Sequence, residues 1–308
     1  MKGTNTKSKS LLRKKFSLVP SPRKPDWIKI KHSNTNTDYT KTVIHNLHLT
    51  TVCEEALCPN LNECWSMKHA TFMILGDVCT RSCSFCNIKT GRTSPIDNFE
   101  PFRIASAVRA LNLNHVVITS VDRDDLDDGG ANQFFKTVIQ IKSLSPRSTI
   151  EILTPDFRNK NNALKIISNC PVDVFNHNLE TVSKLYKEVR PGADYFHSLS
   201  LLKKIKDYKP NVFTKSGIMI GLGESTIQIE SLMNDLRNAD VDFITIGQYL
   251  RPTMDHHPVV RYHDINYFNF LKDMALDKKF KLVASSPFTR SSFHADEDFK
   301  LLKTRSVM

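Results

Sequence analysis

Cys79, Cys83 and Cys86 stand in the spacing C-x3-C-x2-C, close enough on one loop to hold three irons of a [4Fe–4S] cube. The fourth iron of such a cube stays open to bind something else. Thiolates are soft ligands that also select zinc or Cu(I), so zinc remains the alternative. A structural zinc site commonly takes four ligands in paired C-x2-C arrangements, and neither this group nor its upstream neighbour supplies two such pairs. The neighbour is Cys53, Cys58 and Cys64, spaced C-x4-C-x5-C and followed by Trp65. Alone, this second triad leaves metal, disulfide and chance open. An odd total of seven cysteines and the lack of a secretory apolar stretch make a disulfide framework unattractive. Proximity to the first triad makes a second cluster the leading choice. Cys170, isolated at the end of a helical pattern, reads as a small buried hydrophobe.

Residues of this kind need a scaffold. Strand-like runs occur at Thr71–Leu75, His115–Ser120, Thr149–Leu153, Val172–Asn176, Phe213–Ile220, Phe243–Tyr249 and Lys281–Ala284. Between them lie amphipathic stretches of helical length, among them Pro101–Leu111, Ala131–Leu144, Thr226–Ala239 and Asp264–Asp277. The alternation predicts an α/β fold, a parallel sheet with right-handed crossovers. So many units favour a full or partial β/α barrel over a small doubly wound sheet, with the site at the C-terminal ends of the strands. Asp77-Val78-Cys79, Asp122–Gly130, Pro155-Asp156, His177-Asn178, Gly221–Glu224 and Arg251-Pro252 each follow a strand. A barrel brings all of them to one rim.

Composition narrows the class. With 40% hydrophobic residues the chain can bury a core, and no apolar run reaches the ~18 residues of a membrane span. Basic residues outnumber acidic ones 43 to 32, a net charge of +11. Nucleic acid is the first partner that balance suggests, yet zinc-finger spacing, RNP-type aromatics and a helix-turn-helix are all missing from the sequence. A solvated lysine-rich surface and an acidic protein partner are the other readings. The first 25 residues carry Lys2, Lys7, Lys9, Arg13, Lys14, Lys15, Arg23 and Lys24 and no acid. This fits an organelle transit peptide or a flexible basic arm, and is read as a disordered leader on a cytoplasmic protein, with an organelle matrix as the alternative.

At this point the sequence resembles a known family. Cys79–Cys86 is similar to the signature of radical SAM enzymes. Cys53–Trp65, within Thr51-Val-Cys-Glu-Glu-Ala-Leu-Cys-Pro-Asn-Leu-Asn-Glu-Cys-Trp65, resembles the second-cluster motif of lipoyl synthases. Two distant segments agree: Gln248-Tyr-Leu-Arg-Pro252 with His256-His-Pro258, and Arg290-Ser-Ser-Phe-His-Ala295. The likeness runs from about Lys24 to Asp296. It implies a partial (β/α)6-type radical SAM barrel over residues 71–285, after a leader at 1–25 and a cysteine-rich N-terminal extension at 26–70. A C-terminal capping segment at 286–308 completes the chain.

The resemblance also implies an activity. The cluster on Cys79, Cys83 and Cys86 would chelate S-adenosylmethionine and deliver the electron that yields a 5′-deoxyadenosyl radical. That radical would take hydrogen from C6 and C8 of an octanoyl chain, amide-linked to a lysine of a carrier domain. Sulfur would come from the second cluster, on Cys53, Cys58, Cys64 and, by the family's arginine-serine-serine motif, Ser292. Phe293 departs from the family, where tyrosine is usual, and loses a hydroxyl. Asp128, Gly129 and Gly130, with Gly221 and Glu224 of the fifth-strand motif, would contact S-adenosylmethionine, glycines allowing close backbone approach. Ordinary turns and helix starts are the bland reading of both stretches. His177, Asn178, Lys215 and Arg251 are rim candidates, and Arg251 is counted with the cofactor contacts. The adjacent His256 and His257 are assigned to a substrate loop rather than a metal. Implied partners are octanoylated lipoyl domains of 2-oxo acid dehydrogenases or glycine cleavage H protein, and a donor such as flavodoxin or ferredoxin, with neither nucleic acid nor membrane. The alternatives are another radical SAM sulfur-inserting enzyme with an auxiliary cluster, and a zinc-stabilised nucleic-acid-binding module.

Overall fold

The computed structural model describes residues 16–28, 37–160 and 162–305. The strands, in chain order, are β1 (Thr50–Thr51), β2 (Thr71–Ile74), β3 (Val78–Cys79), β4 (Lys89–Thr90), β5 (His115–Ser120), β6 (Thr149–Leu153), β7 (Val174–Asn176), β8 (Phe213–Ile220), β9 (Phe243–Gln248) and β10 (Leu282–Ser285). Eight of them form one sheet in the order β1-β2-β5-β6-β7-β8-β9-β10. All pairings from β2 to β10 are parallel, and only β1 runs antiparallel, with Thr50 opposite Met73. Strand order follows chain order, as crossovers of one hand require. The ladder has two free ends, β1 and β10, so the described sheet is a partial barrel. Its six strands from β2 to β9 are followed by β10 as a seventh.

The crossover helices form where the sequence places apolar residues at helical spacing. The helix Ala131–Leu144 buries Phe134, Val138 and Ile141, and Thr226–Asn238 buries Ile229, Met233 and Leu236. Ser225 and Gln228 close the second of these with a capping box. Strands β2 and β9 are buried at every residue, as a sheet covered on both faces must be.

Three features differ from the sequence-based expectation. Regular pairing in β7 begins at Val174, not Val172, because Asp173 uses its side chain to accept from Ile150 N–H at 2.8 Å in place of a ladder bond. The helices Asp38–Asn46 and Tyr195–Tyr208 were not expected. The latter starts where Asp194 accepts from His197 N–H at 2.7 Å.

The third is the end of the chain, which enters the barrel instead of merely covering it. After β10, residues 286–294 pass along the inner face of β8 and β9. The helix Ala295–Arg305 then plugs the N-terminal ends of the strands: Phe299 stacks on His115 with ring centroids 5.2 Å apart and meets Phe213 edge-on. Leu302 packs there with Phe243 and Leu282. A Cβ on Gly247 would collide with the Thr289 carbonyl oxygen, and one on Gly217 would sit 2.9 Å from Ser291 Oγ. Glycine at these two positions is what lets the segment lie against the strands.

Candidate metal centres

The Cys79–Cys86 loop leaves β3 and is tied on several sides. Thr80 N–H donates to the Asp122 carbonyl at 3.0 Å and Ser84 N–H to that of Val189, the last residue of the helix Tyr186–Val189, at 2.9 Å. His257 N–H donates to the Ser84 carbonyl at 2.8 Å, and His256 Nε2 contacts the Cys86 carbonyl at 3.0 Å. The adjacent histidines therefore hold the cysteine loop.

Inside the loop, Arg81 is 5% exposed and sits among three carboxylates. Its Nε and Nη2 donate to Asp124 at 2.9 and 2.8 Å, its Nη1 donates to Asp156 at 2.8 Å, and Asp122 lies at 3.4 Å. The loop is thus pinned to the segments after β5 and β6 by charge-assisted bonds. Cys79 Sγ accepts from the backbone N–H of Arg81 at 3.4 Å and of Asp122 at 3.3 Å. Burial pushes the Cys79 thiol up to about 12 and the Cys83 thiol to about 11, while Arg190 pulls against the latter. Cys86 is raised by burial and by the neighbouring Cys83 and Cys79.

The other triad gathers in a cleft beside the start of β2. Cys53, Cys58 and Cys64 line it together with Thr71, Arg290 and Ser292. Burial raises all three thiols, Cys53 to about 11; Cys58 adds to the shift of Cys53, and Cys53 and Cys58 both add to that of Cys64. Ser292 is drawn there by the threaded C-terminal segment, which Asn60 also grips by donating to the Phe288 carbonyl at 2.8 Å. Phe293 lines the same cleft. Asn87, next to Cys86, donates to the Glu55 carbonyl at 2.9 Å, so the two cysteine groups share a direct link.

The remaining candidates are placed differently from one another. Asp128 accepts from Gly130 and Asn132 N–H at 2.9 and 2.8 Å and so starts the helix Ala131–Leu144, while Gly129 and Gly130 pack against Phe157 and Leu75. Glu224 accepts from Gly221 and Leu222 N–H at 2.5 and 2.9 Å, and Gly221 is crowded by Gln248 and the Arg261 carbonyl. Protein atoms lie where a Cβ on Gly129, Gly130 or Gly221 would project. Arg251 donates to the carbonyls of Phe16, Val19, Met254 and His256, a web that ties residues 16–21 to the loop after β9. Lys215 is not a rim residue: it is 1% exposed within the barrel and paired with Glu151 at 3.1 Å. Cys170 is fully buried, as expected.

Sequence reasoning overlooked Arg81 and Arg190, and it named Asp122 and Asp156 only as members of rim clusters. Arg81 was visible inside the cysteine motif and the acids in the run from Asp122 to Asp128, but spacing alone does not reveal that they meet.

The chemistry of the donor sets fits clusters. Each triad offers soft thiols, and at the Cys79 sulfur two N–H groups point inward as they would toward a thiolate. At the C-terminal ends of three strands, buried polar atoms lack partners: Ser120 Oγ, Thr154 Oγ1 and His177 Nε2. His177 Nδ1 is satisfied by the Thr154 carbonyl at 2.8 Å, and burial lowers the ring's pKa to about 4. A polar ligand on the rim would complete these groups.

Comparison with solved structures places the fold among known ones. SuiB from Streptococcus suis bound to S-adenosylmethionine is similar with a TM-score of 0.56 at 16% identity, over 73% of this chain and 53% of SuiB. The chain therefore spans about half the length of that relative. Methylornithine synthase (PylB) is similar with a TM-score of 0.51 at 14% identity, over 96% of each chain. The hydrogenase maturase HydG from Carboxydothermus hydrogenoformans gives 0.54 at 12% identity, over 75% of this chain and 56% of its own. Likeness at such identities speaks for the fold alone. The model of the radical SAM superfamily matches residues 73–236, more than half of the sequence, and the chain belongs to that superfamily, whose members pair S-adenosylmethionine with a [4Fe–4S] cluster.

Proposed function

We propose that this protein is a lipoyl synthase, inserting two sulfur atoms at C6 and C8 of a protein-bound octanoyl group. One observation carries the reading: Cys53, Cys58 and Cys64 share a cleft with Ser292, a residue more than 220 positions away. A radical SAM barrel by itself does not call for a second, serine-completed donor set threaded in from the far end of the chain.

Cys79, Cys83 and Cys86 would hold a cluster able to supply an electron for cleaving the sulfonium C–S bond of S-adenosylmethionine, and Cys53, Cys58, Cys64 and Ser292 would hold one able to supply sulfur. The chain's own contribution is positioning and exclusion of water. Arg81 and its carboxylates fix the first loop, Asn87 fixes its distance from the second triad, and the helix Ala295–Arg305 seals the barrel floor. Ser292 is a hard oxygen ligand, a poorer match to iron than thiolate, and so suits a cluster that must give up sulfide. Burial keeps the free thiols protonated, so loading iron must expel those protons. The +11 charge suits an acidic octanoylated carrier domain as substrate and a flavodoxin or ferredoxin as reductant.

The test is anaerobic reconstitution followed by reaction with S-adenosylmethionine, reductant and an octanoylated carrier. Cys83→Ala should abolish S-adenosylmethionine cleavage. Cys53→Ala should leave cleavage substantially intact and stop sulfur insertion. Lipoyl product from Cys53→Ala would sink the assignment of the sulfur source.

A further inference from the structure

To form the first cysteine loop the chain must leave the barrel sheet. Strand β2 ends at Ile74 within the eight-stranded sheet, whereas β3, which carries Cys79, pairs with β4 in a separate two-stranded sheet. Leu75 and Gly76 make the change, both left-handed, with φ of 70° and 88°. That conformation is strained for leucine, and Leu75 is gripped at three points. Its N–H donates to both oxygens of Glu100, each at 3.1 Å, and its carbonyl accepts from Arg123 Nη1 at 3.4 Å. Its side chain closes over Gly130, where a Cβ would collide with it. Glu100 opens the helix Glu100–Leu111, a position where an acid ordinarily serves its own helix. Here the carboxylate is buried and turned toward Leu75 and toward Gln133 Nε2, which donates to Oε2 at 2.9 Å. Burial pushes the Glu100 carboxyl up, and Gln133 and the Leu75 and Gly76 N–H groups pull against that.

We propose that Glu100 is a positioning residue for the first cysteine triad, holding Leu75 and Gly76 in the turn that delivers the chain to Cys79. The inference rests on assigning a cluster to Cys79, Cys83 and Cys86. Thr80 and Arg81 fix the chain after Cys79 through Asp122, Asp124 and Asp156, and the Glu100 turn fixes it before. Beyond the effect of burial, Cys83 and Cys79 lie near enough to Cys86 to raise its pKa, so the three thiols already converge. A triad formed in advance takes up iron without first ordering its loop. Glu100 touches no cysteine and acts through the backbone of Leu75 alone.

The experiment has two readouts on the full chain. Amide hydrogen exchange of the iron-free protein reports local opening. Anaerobic loading with iron and sulfide is then followed by the electron paramagnetic resonance component that changes when S-adenosylmethionine is added. Glu100→Gln keeps the size but sets an amide N–H2 against the donors of Leu75 or Gln133. Exchange over residues 75–81 should rise on the order of tenfold, as loss of one hydrogen bond to a charged group implies, with β8 and β9 unchanged. The responsive spectrum should grow in more slowly by a similar factor. Gly76→Ala adds a methyl that meets no atom within 4 Å, so it strains the turn through φ alone. It should slow loading on the order of tenfold as well. Native exchange over 75–81 in Glu100→Gln overturns the proposal, as does faster exchange with native loading. A rise spread equally over β8 and β9 overturns it too, by making Glu100 a general support. Should Glu100→Gln not fold, Gly76→Ala is read alone, and native loading there overturns the proposal. A native chain without a spectrum that responds to S-adenosylmethionine sinks the cluster assignment instead, and the exchange result stands apart from it.

Discussion

Thr71, the first residue of β2, donates its hydroxyl to Ser292 Oγ at 2.7 Å, joining residues 221 positions apart at the mouth of the second cysteine cleft. In the proposed role of Ser292 as the ligand that completes the second donor set, this hydrogen bond would steady negative charge on its oxygen. Ser292→Ala should therefore cut the iron bound after reconstitution from roughly eight to between four and six per chain, with the S-adenosylmethionine-responsive cluster retained. Thr71→Val keeps the ligand and removes the donor. It should load fully but lose the second cluster's iron to a chelator on the order of tenfold faster, the usual range for a supporting contact. Iron release at the native rate would show that the Thr71 contact is incidental.

Gly247 offers a steric route to the same conclusion. Because a Cβ there would strike the Thr289 carbonyl oxygen, Gly247→Val should push the C-terminal segment off β9. A loss of about 1–3 kcal/mol in denaturant unfolding is expected, and with it the depleted iron of Ser292→Ala although no ligand has been altered. Full iron loading in Gly247→Val would show that the segment can seat Ser292 without lying against the strand.

The sequence carried the scaffold and the ligand sets unequally. Strand and helix alternation was legible because β2, β5 and β9 are apolar runs and the helices keep a 3.6-residue period. The cysteine spacings pointed to soft-metal chemistry, and that reading stays part of the proposed function. What could not be read was how the C-terminal segment threads: Arg290–Ala295 looks like a polar turn, and the glycines that admit it lie in strands 40 or more residues upstream. Arg81 escaped, and its pairing with Asp122 with it, because an ion-pair cage joins three separate loops.

Lys215 and Glu151 form an ion pair in the barrel interior, each 1% exposed, with Asn176 donating to the second carboxylate oxygen at 2.7 Å. Breaking such a pair leaves a bare charge in a poorly solvated site. Lys215→Met should cost about 3–5 kcal/mol of unfolding free energy, and the double variant Lys215→Met, Glu151→Leu should recover most of it. Equal losses in the single and double variants would mean that packing, not charge, is what the pair contributes.

Asp298, on the helix that plugs the barrel, completes the interior charge set. Burial is the main cause lifting its carboxyl pKa to about 6, with Glu151 adding to the shift and Lys215 opposing it. The sign follows from linkage: a carboxyl whose pKa is raised on folding binds its proton more tightly in the folded chain. Its favourable contribution is therefore complete below the unfolded value near 4 and is lost as pH rises through about 6. Asp298→Asn removes that dependence. Its stability relative to the native chain should be level or slightly lower near pH 4.5 and should grow to an advantage of about 2 kcal/mol by pH 7.5. Denaturant unfolding of the two proteins across this range, without iron so that thiol ligation does not intervene, reads the difference directly. A gap that stays flat from pH 4.5 to 7.5 would mean that Asp298 is solvated in the folded chain and that the helix plugs the barrel through Phe299 and Leu302 alone.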